Sequence, residues 1–141
     1  MLLAMTMMSI MRSLAMQTAV RVGLWIHVLA EGIAGMILLL RPSMFDPDAS
    51  FEHREAMRGF GNGAIAVGLV GVAILAKGEK IGPAADVLYA IIATYHCVIV
   101  ALQCRSPMKG APVWLAPLFH GALASLFWAA FAGERQLLKQ E

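Results

Sequence analysis

The chain has 141 residues, of which 60% are hydrophobic and only 14% charged, with a formal net charge of +2. A composition this apolar excludes an ordinary soluble domain, and charges so few and so scattered exclude a nucleic-acid partner. The lipid bilayer is left as the expected partner and solvent of a single domain spanning 1–141.

Residues 1–17 hold six of the ten methionines, carry Arg12 as their only charge, and no acid precedes Glu31. The charge sign is that of a mitochondrial presequence, but its serine and arginine density is missing, and no charge precedes an apolar core as in a secretory signal. Residues 1–20 are expected to form a helix that lies on the membrane surface or leads into the first span.

Four apolar runs follow. Residues 22–40 contain only Glu31 as a charge, and 59–76, 87–104 and 110–133 contain none. Each run is roughly 18–24 residues long, enough for a helix to cross about 30 Å of hydrocarbon. Spans are expected at about 21–40, 57–76, 85–104 and 112–132. Between the first two, Arg41-Pro42 ends a helix, Asp46-Pro47-Asp48 reads as a turn rather than a metal site, and Ser50 is a candidate N-cap for a polar lead-in at 51–58. Residues 77–83 and 105–112 read as short hairpin loops, and 134–141 as a charged helical tail. Loops this short force neighbouring helices antiparallel, so the fold class is all-α, a four-transmembrane-helix bundle running up-down-up-down.

Both termini then share one side, but the charges do not orient the chain. Arg12, Arg21, Lys77, Lys80, Arg135 and Lys139 fall on the terminal side, against Arg41, Arg54, Arg58, Arg105 and Lys109 on the other; the positive-inside rule needs a stronger bias. The expected location is an integral, multi-pass membrane position, an endomembrane if the source is eukaryotic. Cys97 and Cys104 sit seven apart on one helix, about 10 Å, too far for a disulfide. The second span is rich in glycine and alanine, which predicts a tightly packed central helix and a homo-oligomer formed through it. Gly61-Asn62-Gly63-Ala64-Ile65-Ala66 superficially matches a dinucleotide fingerprint, but no strand surrounds it.

The informative residues are those that hydrocarbon should exclude: His27, Glu31, Arg58, Asn62, Tyr95, His96 and His120. Polar groups at membrane depth face the bundle interior and mark functional sites. With a rise of about 1.5 Å per residue, Glu31 lies about 15 Å from the terminal side, His96 and His120 about 18 Å, and Asn62 about 20 Å. The four spans thus each contribute to one polar layer. His27, Glu31 and Gly35 share a face, as do Tyr89, His96 and Gln103. Glu55, Arg58, Asn62, Ala66 and Leu69 form a stripe on the second helix that is expected to point inward, with Arg58 at the mouth. Pro117 is expected to kink the fourth helix by leaving the Val113 carbonyl unpaired, opening space beside His120.

This inventory suits a cofactor-independent acid/base enzyme of isomerase, cyclase or hydratase type, acting on a lipophilic terpenoid, sterol or polyketide. Glu31, His96, His120 and Asn62 are the expected catalytic groups, and His27, Arg58 and Tyr95 the expected substrate-binding ones. No metal is expected, because the sequence has no Cys/His ligand spacing. Two alternatives stand beside this reading. One is a b-type haem protein with His96 and His120 as axial ligands. The other is a non-enzymatic scaffold, assembly factor or transporter subunit held together by its polar layer.

The elements Arg54-Glu55-Ala56-Met57-Arg58-Gly59, Tyr95-His96 and Trp114-Leu115-Ala116-Pro117-Leu118-Phe119-His120-Gly121 resemble a pattern in small, largely uncharacterised four-helix membrane proteins of fungi and bacteria. The resemblance covers residues 20–133. It implies the four-span fold and a place in biosynthesis, and draws attention to His96 and His120 without naming a reaction.

Overall fold

A computed structural model describes residues 2–77, 84–105 and 114–137, with side chains from residue 14 to 133. Among them are four α-helices: α1 (Leu2–Leu40), α2 (Phe51–Lys77), α3 (Ala84–Arg105) and α4 (Leu115–Leu137), with a single 3-10 turn at Pro42–Met44. Stretches of all four are long and apolar enough to cross a membrane: Leu14–Leu40, Phe51–Lys77, Ala84–Arg105 and Leu115–Gly133. The expected hairpin loops at 78–83 and 106–112 and the tail at 138–141 lie outside the described residues. The Met-rich lead segment is not a separate element, since α1 runs without a break from Leu2.

Local chemistry accounts for the connection between α1 and α2. Pro42 cannot continue α1, and Ala49 N–H bonds the Asp46 carbonyl at 3.3 Å while Asp48 N–H bonds the Asp46 carboxylate at 3.2 Å. Ser50 caps α2, its Oγ accepting the His53 N–H at 3.2 Å, which satisfies one orphan donor of the first turn. At α4 the expectation of a kink fails. The helix begins only at Leu115, so Pro117 sits in its first turn, where a missing N–H costs nothing, and Leu118 N–H bonds the Trp114 carbonyl at 3.0 Å.

The helices associate as two intimate pairs, α1 with α2 and α3 with α4, and contact between the pairs is sparse. Glycine makes the first pair. A Cβ on Gly61 would lie 2.7 Å from the Gly35 carbonyl oxygen, and one on Gly35 would lie 2.9 Å from the Gly61 carbonyl oxygen. Gly68 and Gly71, also buried, continue the same face toward Val28, His27 and Glu31. This face of α2 packs on α1. Gly59 and Gly63 point to open space.

Burial is inverted relative to a soluble protein. His27, Glu31 and His96 are buried, whereas Ile33, Leu69 and Leu118 are each at least 60% exposed. Apolar surface outside and polar groups inside is the arrangement that lipid, not water, stabilises. The apolar part of the interior is built around Leu24, Ile74, Ile92, Ala93, Leu123 and Phe127.

Gly61→Val should destabilise the bundle by about 1–3 kcal/mol through forced separation of α1 and α2, while Gly63→Ala should be neutral or slightly stabilising. Denaturation followed in detergent checks the contrast.

Candidate functional site

The i, i+4 spacing of His27 and Glu31 puts both on the inward face of α1. Tyr95 and His96 project from α3, diagonally across the bundle, and His120 from the second turn of α4. The structure brings these five side chains into one continuous network.

The His27 Nε2 lies 3.1 Å from the Val67 carbonyl oxygen of α2, and its Nδ1 lies 3.0 Å from His96 Nε2. His96 Nδ1 in turn lies 2.8 Å from His120 Nδ1. Tyr95 donates its hydroxyl proton to Glu31 Oε2 at 2.7 Å. The other carboxylate oxygen, Oε1, stands 3.9 Å from His96 Nδ1 and 3.8 Å from His120 Nδ1.

With neutral rings this pattern admits one proton arrangement. A carbonyl oxygen only accepts, so His27 carries its proton on Nε2 and offers Nδ1 as an acceptor. His96 must then donate from Nε2, which leaves a lone pair on its Nδ1. His120 donates to that lone pair from Nδ1, and its own Nε2 is the free end of the chain. Three imidazoles thus form a directed wire anchored on a backbone oxygen.

The anchor depends on Gly71. In a helix the side chain four residues on lies over a given carbonyl, so Gly71 is the position that would cover Val67. A Cβ there would lie 2.9 Å from His27 Cδ2 and 2.8 Å from Val28 Cγ2. The bare glycine uncovers the carbonyl's second lone pair for His27.

Phe127 closes the site on one side. It is fully buried, stacks on His96 with ring centroids 6.1 Å apart, and meets His27 edge-on at 5.9 Å. Its sequence signal was its place seven residues beyond His120, on the same face of α4. The Val67 carbonyl, a backbone group, has no such signal. Access differs along the wire: the His96 side chain is 0% exposed and Glu31 5%, but His120 is 15% exposed.

Two expected members are elsewhere. Asn62 is exposed on the outer face of α2, and Arg58 pairs along the helix with Glu55, both side chains nearly half exposed. The stripe from Glu55 to Leu69 turns outward because the opposite, glycine-bearing face is the one that approaches α1 so closely. An exposed pair of this kind contributes little. Nor is there a gap for haem: His96 and His120 are hydrogen-bonded to each other, leaving no room for a porphyrin between them. Cys97 and Cys104 are free and exposed.

No family model, curated protein or solved structure matches this chain. What defines it is therefore its own architecture, four membrane-length helices around a buried carboxylate, tyrosine and three-histidine network.

His27→Ala should lower stability by about 1–3 kcal/mol, because the buried His96 N–H loses its partner and a cavity opens beside Phe127. Asn62→Ala should change it by less than about 0.5 kcal/mol. Unfolding titrations of the two variants in one detergent test this, and equal losses would contradict the placement.

Proposed function

We propose that the protein is an intramembrane acid/base catalyst, of isomerase, cyclase or hydratase type, that acts on a lipophilic substrate of the terpenoid, sterol or polyketide kind. The observation that carries this reading is the directed imidazole wire with a single accessible end. His120 Nε2 offers a lone pair on the least buried of the three rings, which an apolar substrate reaches by partitioning from lipid. A proton taken from substrate onto His120 is held there by the Glu31 carboxylate nearby, an electrostatic pairing strengthened by low dielectric. Relaxation of the wire through His96 and His27 spreads the charge over three rings, and return of the proton to a different atom completes an isomerisation or cyclisation. Tyr95 holds Glu31 in place.

Proton transport across the membrane is a poorer reading. The wire ends on the Val67 carbonyl, which takes no proton onward, so it stores charge rather than conducting it. A scaffold role draws support from a different fact: the His27–His96 and Tyr95–Glu31 bonds join the two helix pairs across the bundle. Catalysis is distinguished from it by turnover.

Protein in liposomes made from a membrane lipid extract, incubated in D2O, should place deuterium in at least one lipophilic molecule. His120→Ala should abolish that label while keeping its helical circular dichroism. Mass spectra of the lipids that show no label beyond protein-free controls would contradict the proposal.

A further inference from the structure

We infer that Glu31, His96 and His120 form a binding site for a divalent first-row metal cation, zinc in the first instance, at the centre of the bundle. The inference rests on the same site as the acid/base reading, with the ion taking the place of the His96–His120 hydrogen bond. The sequence shows no ligand spacing because the three donors come from three different helices.

The geometry is that of a ligand set. His96 Nδ1, His120 Nδ1 and Glu31 Oε1 are separated by 2.8, 3.8 and 3.9 Å. The point equidistant from three atoms so placed lies about 2.1 Å from each, within the usual range of zinc–nitrogen and zinc–carboxylate bonds. Shifts of about half an ångström, as the His96–His120 hydrogen bond gives way to metal bonds, bring the donors to tetrahedral spacing. Two imidazoles and a carboxylate are borderline donors suited to zinc or ferrous iron and not to calcium or magnesium.

The surroundings are already arranged for such an ion. The Val67 carbonyl fixes the tautomer of His27, and His27 in turn accepts the Nε2 proton of His96, so His96 Nδ1 meets the site as a lone pair. Ligating histidines characteristically donate their other ring N–H in this way. Tyr95 binds Oε2 of Glu31 and leaves Oε1 directed at the two rings. Loading the site needs one internal change, the movement of the His120 proton from Nδ1 to Nε2. His27 also brings a nitrogen within 4.8 Å of ligand atoms on Glu31 and His96, but both its nitrogens are engaged, so it is a positioning residue. Three protein ligands with access beside His120 leave the fourth position for water or substrate, the form of a catalytic rather than a structural zinc site.

The test uses full-length protein purified without a histidine tag, stripped with chelator and titrated with Zn2+, and separately with Fe2+ under anaerobic conditions. Co2+ serves as the spectroscopic probe. Wild-type should take up one equivalent per chain, and the Co2+ form should show the intense visible bands of a tetrahedral site. His120→Ala and Glu31→Gln should weaken binding by about 100-fold or more, and Tyr95→Phe by about 10–100-fold with an altered Co2+ spectrum. His53→Ala, which removes the exposed histidine at the start of α2, should bind as wild-type does. His120 is the least buried ligand, so its variant is the one expected to stay folded, and Tyr95→Phe provides a second that keeps the ring in place. Absence of stoichiometric uptake of either metal, unchanged affinity in the folded ligand variants, or loss confined to His53→Ala would overturn the inference. The two readings separate cleanly. Deuterium labelling that persists in chelator-stripped protein with no metal uptake defeats the metal site alone, whereas stoichiometric binding without any labelling defeats the acid/base reading alone.

Discussion

One hydrogen bond sets the rest of the site: His27 Nε2–H to the carbonyl oxygen of Val67. Because a carbonyl cannot donate, this bond determines which nitrogen of His27 carries its proton, and the consequence passes from ring to ring to the accessible edge of His120. In water such a chain would exchange its protons with solvent and lose its direction. Inside an apolar shell, with His27 and His96 wholly buried, each donor has one acceptor and each unmade bond is costly. The direction of the wire is thus a property of the backbone of α2, imposed on side chains of α1, α3 and α4.

The bond exists because α1 and α2 approach more closely than ordinary side chains permit. Gly35 and Gly61 set the backbones nearly in contact at one level, and Gly71 leaves Val67 uncovered at another. Packing and chemistry are here the same feature. The glycines that bring the helices together also admit an imidazole to a carbonyl. On the other side of the bundle Phe127 fills the space between His27, His96 and Tyr89, so the network is held by apolar contact as well as by its own bonds. Between the two helix pairs, where backbone contact is sparse, the polar network and the apolar cluster around Leu24, Ile74, Ile92 and Phe127 together make the connection.

Much of this was legible in the sequence. The four helices follow from uninterrupted apolar runs of membrane length, and Glu31, His27, His96 and His120 stood out because hydrocarbon tolerates so few polar groups. The common depth of Glu31, His96 and His120 followed from the rise per residue, and the shared face of His27 and Glu31 from their spacing. Asn62 and Arg58 were misplaced for a physical reason: in lipid the inward face of a helix is chosen by close steric fit as much as by polarity, and on α2 the small residues decided. Pro117 was read as a kink because α4 was started three residues too early; in a first turn proline is harmless. The Val67 carbonyl had no signal at all, since backbone acceptors are common to every residue and only the fold reveals which one is uncovered.

The direction of the wire is set by the proton positions of two buried rings, which nitrogen-15 spectroscopy of histidine-labelled protein reads directly, with His27→Gln and His96→Gln variants to assign the signals. Both His27 and His96 are predicted to be neutral and protonated on Nε2 in membranes. A proton on Nδ1 of His27, or a charged ring at either position, would contradict the directed wire and the site built upon it.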